Sequence, residues 1–331
     1  MKLRGAPRLT FAADALRSRP VPFLATYVHD LSPFLIRFGE NFGVRWYGIA
    51  YVASFFIGYL LFVRLARMGY SDIPPSKVGD FITMTALFGV IIGGRLGYVL
   101  FYGFDEYRSN PLNILKLWQG GMSSHGGILG IFFFTWIYAR RQKVSWTNLG
   151  DNLVCVAPVG LFLVRCANFI NGELFGRVTT VSWGMKFPRE LIERPSARAL
   201  SAYPDFNVRS DMIEKAYADP TYRQTIAPLL ETRHPSQFYE AFFEGAVLFA
   251  VLWFLRTRFR LPNGVLTGVF FILYAFARIG CEMFREPDAP LAGPFTRGQF
   301  LSLFMIGFGV VFLIVSFRRQ QYPRPQQLKK T

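Results

Sequence analysis

Three arginines stand where arginine is expensive. Arg95, Arg165 and Arg278 each lie inside a long apolar stretch. Within a membrane such a guanidinium costs at least about 2.5 kcal/mol on insertion scales, so each needs a partner or a wet cavity. Glu282 follows Arg278 by four residues, on one helical face. The order arginine then glutamate is the less favourable one for a helix, which points to a site rather than to helix propensity. The run V-R-C-A-N-F-I-N-G-E-L-F-G-R over residues 164–177 crowds Arg165, Asn168, Asn171, Glu173, Gly176 and Arg177 where an apolar stretch ends. Glu240 and Glu244, again four apart, read as acidic partners for basic residues, because intramembrane charges usually pair. His125 in S-S-H-G-G and Tyr47 in W-Y-G complete the polar set. Forked arginine donors match phosphate geometry, and an imidazole is the side chain suited to proton transfer near neutrality. So many polar groups at the ends of apolar stretches read as a site rather than as packing.

The elements that must position these groups follow from composition. Of 331 residues, 52% are apolar and 17% aromatic, but only 18% are charged; a soluble protein carries nearer a quarter. About 20 mostly apolar residues are needed to cross a bilayer as a helix. Seven windows approach that length: 46–63, 81–103, 123–139, 152–172, 237–255, 264–284 and 299–317. The third is short and flanked by glycine, and a re-entrant segment is its alternative. The sequence therefore predicts an all-α, polytopic membrane protein of about seven spans. Residues 1–44 are expected to form an extension and interfacial arm, 45–318 the seven-helix membrane domain that carries the site, and 319–331 a basic tail. A small head, 174–235, is inserted between the fourth and fifth spans.

A net charge of +16 would raise nucleic acid as a partner in a soluble protein. Its placement argues against that. Arg64, Arg67 and Lys77 follow the first window; Arg140, Arg141 and Lys143 the third; Arg256, Arg258 and Arg260 the fifth; Arg318, Arg319, Arg324, Lys329 and Lys330 the seventh. The short stretches on the other side hold only Arg108, Lys116, Arg285 and Arg297. Positive charge stays on the cytoplasmic side, which puts the C-terminus inside and the head outside. Basic residues between 2 and 19 disagree but are outweighed, and no apolar core or A-x-A site marks them as a cleaved signal peptide. Arg95, Arg165 and Arg278 then lie about 14 residues into outward-running spans, about 21 Å deep, in the outer half. Tyr47 and His125, at the starts of inward-running spans, share that level.

In the second span, Arg95 sits within a G-x-x-x-G-x-x-x-G stripe of Gly89, Gly93 and Gly97, whose plain reading is close helix packing. The three cysteines lie in apolar blocks without a C-x-x-C, so neither a disulfide framework nor a zinc site is expected. No metal motif such as H-E-x-x-H occurs, and no cofactor is implied.

The motifs W-Y-G (46–48), G-G-R-L-G-Y-V-L-F-Y (93–102), G-G-M-S-S-H-G-G (120–127), R-C-A-N-F-I-N-G-E-L-F-G-R (165–177), R-H-P-S-Q-F-Y-E (233–240), R-x-x-x-E-M-F-R-E-P-D (278–288) and G-Q-F-L-S (298–302) resemble, in order, the bacterial prolipoprotein diacylglyceryl transferases. That resemblance implies a seven-helix inner-membrane enzyme with its active site towards the periplasm. Its substrates would be phosphatidylglycerol and a prolipoprotein signal peptide carrying a lipobox cysteine, and glycerol-1-phosphate would be released. It carries functional roles onto Tyr47, His125, Arg165, Asn168, Glu173, Gly176, Arg278 and Glu282. Arg95 and Asn171 join the substrate-binding set from the residue reading. Val164 and Ala167 depart from the family pattern, which usually has glycine there. A thiol attacks as its thiolate, which suits His125 as base and the arginines as anchors of the departing phosphate. The rival reading is an anion or lipid transporter. Such a protein should bind near the midplane between internal repeats, and no repeat is visible.

Overall fold

The computed structural model describes residues 26–39, 42–117, 120–287 and 295–324. The basic residues between 2 and 19, Asp288 of the R-E-P-D run, and Lys329 and Lys330 of the tail lie outside them. A short antiparallel hairpin, β1 (Phe34–Arg37) with β2 (Gly43–Arg45), leads directly into the first long helix. Seven long helices follow: α1 (Trp46–Arg67), α2 (Pro75–Phe101), α3 (Ser124–Gln142), α4 (Trp146–Ile170), α5 (Ser236–Arg258), α6 (Val265–Glu282) and α7 (Arg297–Arg319). Each predicted window falls on one of them, and the all-α architecture is as expected.

The seven long helices are not equally apolar. Among the described residues, six helices are long and apolar enough to cross a membrane, and α3 is not one of them. Its 19 residues include Ser124, His125, Gly126, Gly127, Gly130, Arg140 and Arg141, which dilute its apolar character.

Local chemistry explains where the helices begin and end. Ser123 caps α3 by accepting from the Gly126 N–H, Ser145 caps α4 through Asn148, and Thr296 opens α7 in a capping box with Gln299. Such caps satisfy N–H groups that the helix itself leaves unpaired. Pro75 starts α2, where its missing N–H costs nothing. Gly264, at φ +99°, turns the chain into α6.

The glycine stripe packs α2 against α3, which was its plain reading. A Cβ on Gly93 would come within 2.7 Å of the Gly130 Cα, and one on Gly97 would overlap the Gly126 Cα. The obstructing atoms are backbone and cannot move aside. Gly97→Ala is therefore expected to lower the unfolding midpoint of the detergent-solubilised protein, by the about 1–3 kcal/mol typical of overpacking. An unshifted midpoint would mean that α2 and α3 are not held at this separation.

The main core joins α1, α2, α4, α5 and α6 through Phe62, Leu65, Phe81, Leu149, Leu252 and Leu266. A polar knot closes the basic ends of these helices. Buried Asp151 accepts hydrogen bonds from the Gly264 and Thr267 backbone N–H groups and the Thr267 hydroxyl, each at 2.8 Å, and faces Arg256 at 3.8 Å. Arg256 and Asn148 both reach the Tyr70 carbonyl.

Between α4 and α5 lies a group of short helices, Glu190–Glu193, Ala197–Ala202, Phe206–Ala218 and Pro220–Ile226. They surround a small core of Leu191, Met212, Ile213, Ala216 and Ile226. The arm before α1 is packed into this group: the His29 N–H donates to the Lys186 carbonyl at 2.8 Å, and the His29 ring is buried against Phe169, Phe187 and Tyr217. Burial pushes its pKa down to about 4, from an ordinary value near 6.5. The unfolded chain therefore binds a proton here before the folded one does, so stability is lost as pH falls from about 6.5 to about 4, with a slope of at most about 1.4 kcal/mol per pH unit. Thermal unfolding followed across that range should show the slope in the wild type and a shallower one in His29→Phe. Equal slopes would contradict the burial of a neutral imidazole.

Candidate active site

Three helices and the stretch just beyond the last of them bring charge to one place. Arg165, near the end of α4, meets two carboxylates of α5: Glu240 at 3.4 Å and Glu244 at 3.2 Å. Arg278 of α6 meets Glu240 at 2.5 Å, Glu244 at 3.4 Å and its own helix's Glu282 at 2.5 Å. Arg285, just beyond α6, reaches Glu240 at 2.7 Å. Glu240 therefore serves three guanidiniums, and three arginines balance three glutamates.

The backbone makes this convergence possible. The chain of α5 winds wide, as a π-helix, over Ala241–Val247; such segments often occur at functional sites. Glu240 and Glu244 flank or occupy it, and both face the same two guanidiniums. Gly245 lets α4 approach closely: a Cβ there would lie 2.8 Å from the Phe162 Cα. At the start of α7, Gly298 lies against the same group, since its Cβ would sit 3.3 Å from the Arg278 Nε and overlap Glu282. Any side chain at 298 would crowd that guanidinium.

Glu240 and Glu244 are fully buried, whereas Arg165 and Arg278 each keep 15% of the side chain exposed. A guanidinium has five N–H donors. The carboxylates hold each fork by its terminal nitrogens and leave part of it open to an arriving anion. Removing one partner from so buried a set typically costs 3–5 kcal/mol, so the forks are held in place.

A second group adjoins the first through α4. The Asn168 side-chain amide donates to the Tyr47 hydroxyl and, at 3.0 Å, to Glu173. Asn171 donates to Glu173 at 3.4 Å, and Arg189 stands 3.6 Å from its other oxygen. The buried Oδ1 atoms of Asn168 and Asn171 have no donor among the described residues. Asn168 follows Arg165 by one helical turn, which places the two groups side by side.

Other expected site residues have different surroundings. Gly176 is a backbone crossing point: its N–H donates to the His234 carbonyl at 2.8 Å, its carbonyl accepts from Arg233, and a Cβ would strike Phe284. Arg95 shares no carboxylate with Arg165 and Arg278. It is buried, and its donors go to the carbonyls of Asn113, Ile114, Lys116, Gly120 and Gly121 at 2.5–3.2 Å. Its charge organises the loop that enters α3, and Tyr107 covers it at 5.1 Å. His125 is exposed on the first turn of α3. It makes no hydrogen bond or ion pair among the described residues. Val164 and Ala167 stand on α4 beside Arg165 and Asn168, and Ala167 is buried.

Arg285 and Gly298 belong to the charged group although the sequence alone marks Arg285 as a loop charge and Gly298 as part of a motif.

A model of the family described as prolipoprotein diacylglyceryl transferase matches residues 33–315. The chain belongs to the prolipoprotein diacylglyceryl transferase family. Curated relatives named phosphatidylglycerol–prolipoprotein diacylglyceryl transferase agree. The one from Bdellovibrio bacteriovorus is 37% identical over 330 residues, covering 87% of this chain and 93% of its own. That from Coxiella burnetii is 38% identical over 299 residues, covering 89% and 99%, and that from Nitratidesulfovibrio vulgaris is 40% identical over 274 residues, covering 82% and 88%. The diacylglyceryl transferase match spans both polar groups and all seven long helices but for the last turn of α7.

Proposed function

We propose that this protein transfers the diacylglyceryl group of phosphatidylglycerol to the thiol of the lipobox cysteine of a prolipoprotein, releasing glycerol-1-phosphate. The observation that carries this reading is the pair of partly open guanidiniums, Arg165 and Arg278, clamped by buried carboxylates within a membrane helix bundle. In the reaction the thiolate sulfur forms a bond to the terminal glyceryl carbon while that carbon's bond to the phosphate oxygen breaks. The phosphodiester, with one negative charge, departs as a monoester with two. Fixed donors that meet the added charge favour the transition state over the bound substrate. Arg165 and Arg278 fill that role, and Glu240, Glu244 and Glu282 keep their forks aimed.

His125 takes the thiol proton as the sulfur attacks. Asn168, Asn171 and Glu173, with Tyr47, form the neighbouring polar wall, beside which the glycerol headgroup lies. The family match gives no support to the transporter reading.

Purified protein incubated with phosphatidylglycerol and a lipobox peptide should yield a peptide heavier by one diacylglyceryl group in mass spectrometry. A peptide of unchanged mass, with the protein folded, would refute the assignment. The enzyme is proposed to lie in the inner membrane with this site towards the periplasm and α3 as a seventh span, as the basic asymmetry of the loops implies. Single cysteines at Arg108 and Lys215 should then react with an impermeant reagent applied from outside, and one at Arg141 should not. The reverse pattern would invert the orientation.

A further inference from the structure

The ends of α3 and α7 and the start of α4 enclose an open cavity of about 480 Å³. Its wall changes character along the helices. Phe132, Phe133 and Trp136 of α3 line one part, and about one turn further on the rim carries Arg140, with Arg319 opposite on α7. Arg140 stacks over the Trp136 ring at 5.3 Å, and neither guanidinium meets a carboxylate among the described residues. Trp146, which also lines the cavity, precedes Arg165 by 19 residues on the same helix, about 28 Å along the axis. The cavity is therefore separate from the charged group at the other end.

We propose that it binds one anionic diacyl phospholipid of the leaflet at the basic ends of the helices, with the phosphate between Arg140 and Arg319 and an acyl chain along Phe132, Phe133 and Trp136. The charge pattern selects this occupant. Two unpaired cations call for an anion, and basic pockets between membrane helices commonly take lipid headgroups. A zwitterionic headgroup would bring a third cation beside the two already there. A small soluble anion would leave the aromatic wall unused. The stack on Trp136 holds the Arg140 fork ready, and the open side of the cavity lets the lipid's remaining chain lie in the bilayer. The site needs no turnover, so it stands or falls apart from the proposed reaction.

Trp136 and Trp146 make binding visible. Full-length protein in detergent is titrated with phosphatidic acid bearing brominated chains, which quench tryptophan on contact, and separately with brominated phosphatidylcholine. Phosphatidic acid should quench at about tenfold lower mole fraction, the smaller end of what charge-assisted hydrogen bonds supply. Arg140→Gln with Arg319→Gln should abolish that preference. Arg141→Gln with Lys143→Gln, which removes equal charge beside the cavity but not from it, should keep it. Arg319→Gln alone, at an exposed helix end, should reduce the preference by about threefold, which preserves the test if the double variant does not fold. Equal quenching by the two lipids, or equal loss in the two double variants, would overturn the proposal. So would displacement of the brominated lipid by inorganic phosphate, which would make this a site for the free anion.

Discussion

His125→Gln is expected to lower turnover by about 10²- to 10⁴-fold, the usual contribution of a positioned general base, while leaving phospholipid binding intact. Glutamine keeps a hydrogen-bonding side chain but cannot take up the thiol proton. The proposed role needs an accessible ring. His125 is exposed on the first turn of α3, and its ring has no ion pair or hydrogen bond among the described residues, so an arriving thiol meets a free imidazole. Raising the pH should partly restore the variant, because the acceptor thiol then ionises without help, around its own pKa of about 8.5. Steady-state rates across pH, measured beside phospholipid binding, separate the possibilities. If the variant matches the wild-type rate, His125 is not the base, and Tyr47 or a carboxylate takes the proton.

Arg278→Lys should reduce turnover by roughly 10- to 150-fold, the equivalent of one charge-assisted contact worth 1.5–3 kcal/mol, although the charge is retained. Lysine is a point donor. It cannot span Glu240, Glu244 and Glu282 and still present a flat fork to a phosphate. Arg165→Lys should behave alike, since that side chain bridges Glu240 and Glu244. The loss should appear in the rate at saturating phospholipid, because the added contact forms as the phosphate gains charge. Near-normal rates in both lysine variants, with unchanged unfolding midpoints, would remove the phosphate clamp from the mechanism.

Much of this site was legible in the amino-acid order because an intramembrane charge has few possible explanations. Arg165 and Arg278 had to be paired or wetted, and Glu240, Glu244 and Glu282 were the acids at a matching depth. Which acid serves which arginine was not legible. That depends on the wide winding of α5, and A-F-F-E-G-A-V carries no mark of a π-helix. The surroundings of Arg95 were hidden for a related reason: backbone carbonyls satisfy it, and any loop has those, so no partner residue announces the arrangement. The helices were readable from apolar length, and α3 was the weak window because its glycines and polar ends serve packing and chemistry at the expense of hydropathy. Gly298 was hidden because a residue that contributes only the absence of a side chain is recognisable only beside what it would displace.

The pairing of Arg165 with a later helix also sets a problem for biogenesis. Arg165 precedes Glu244 by 79 residues, so α4 is synthesised well before the carboxylates that neutralise it. At 5–20 residues per second, the interval is about 4–16 s. During that time the arginine has no partner from α5 or α6, and its helix bears the insertion penalty alone. Asp151, at the other end of α4, waits similarly for Arg256. The fourth helix should therefore linger at the insertion machinery, or at the lipid–water boundary, until α5 and α6 emerge, and the three should enter the bilayer as a unit. With a ribosome stalled between α4 and α5, single cysteines along α4 should react with a water-soluble maleimide, whereas with one stalled after α6 they should be protected.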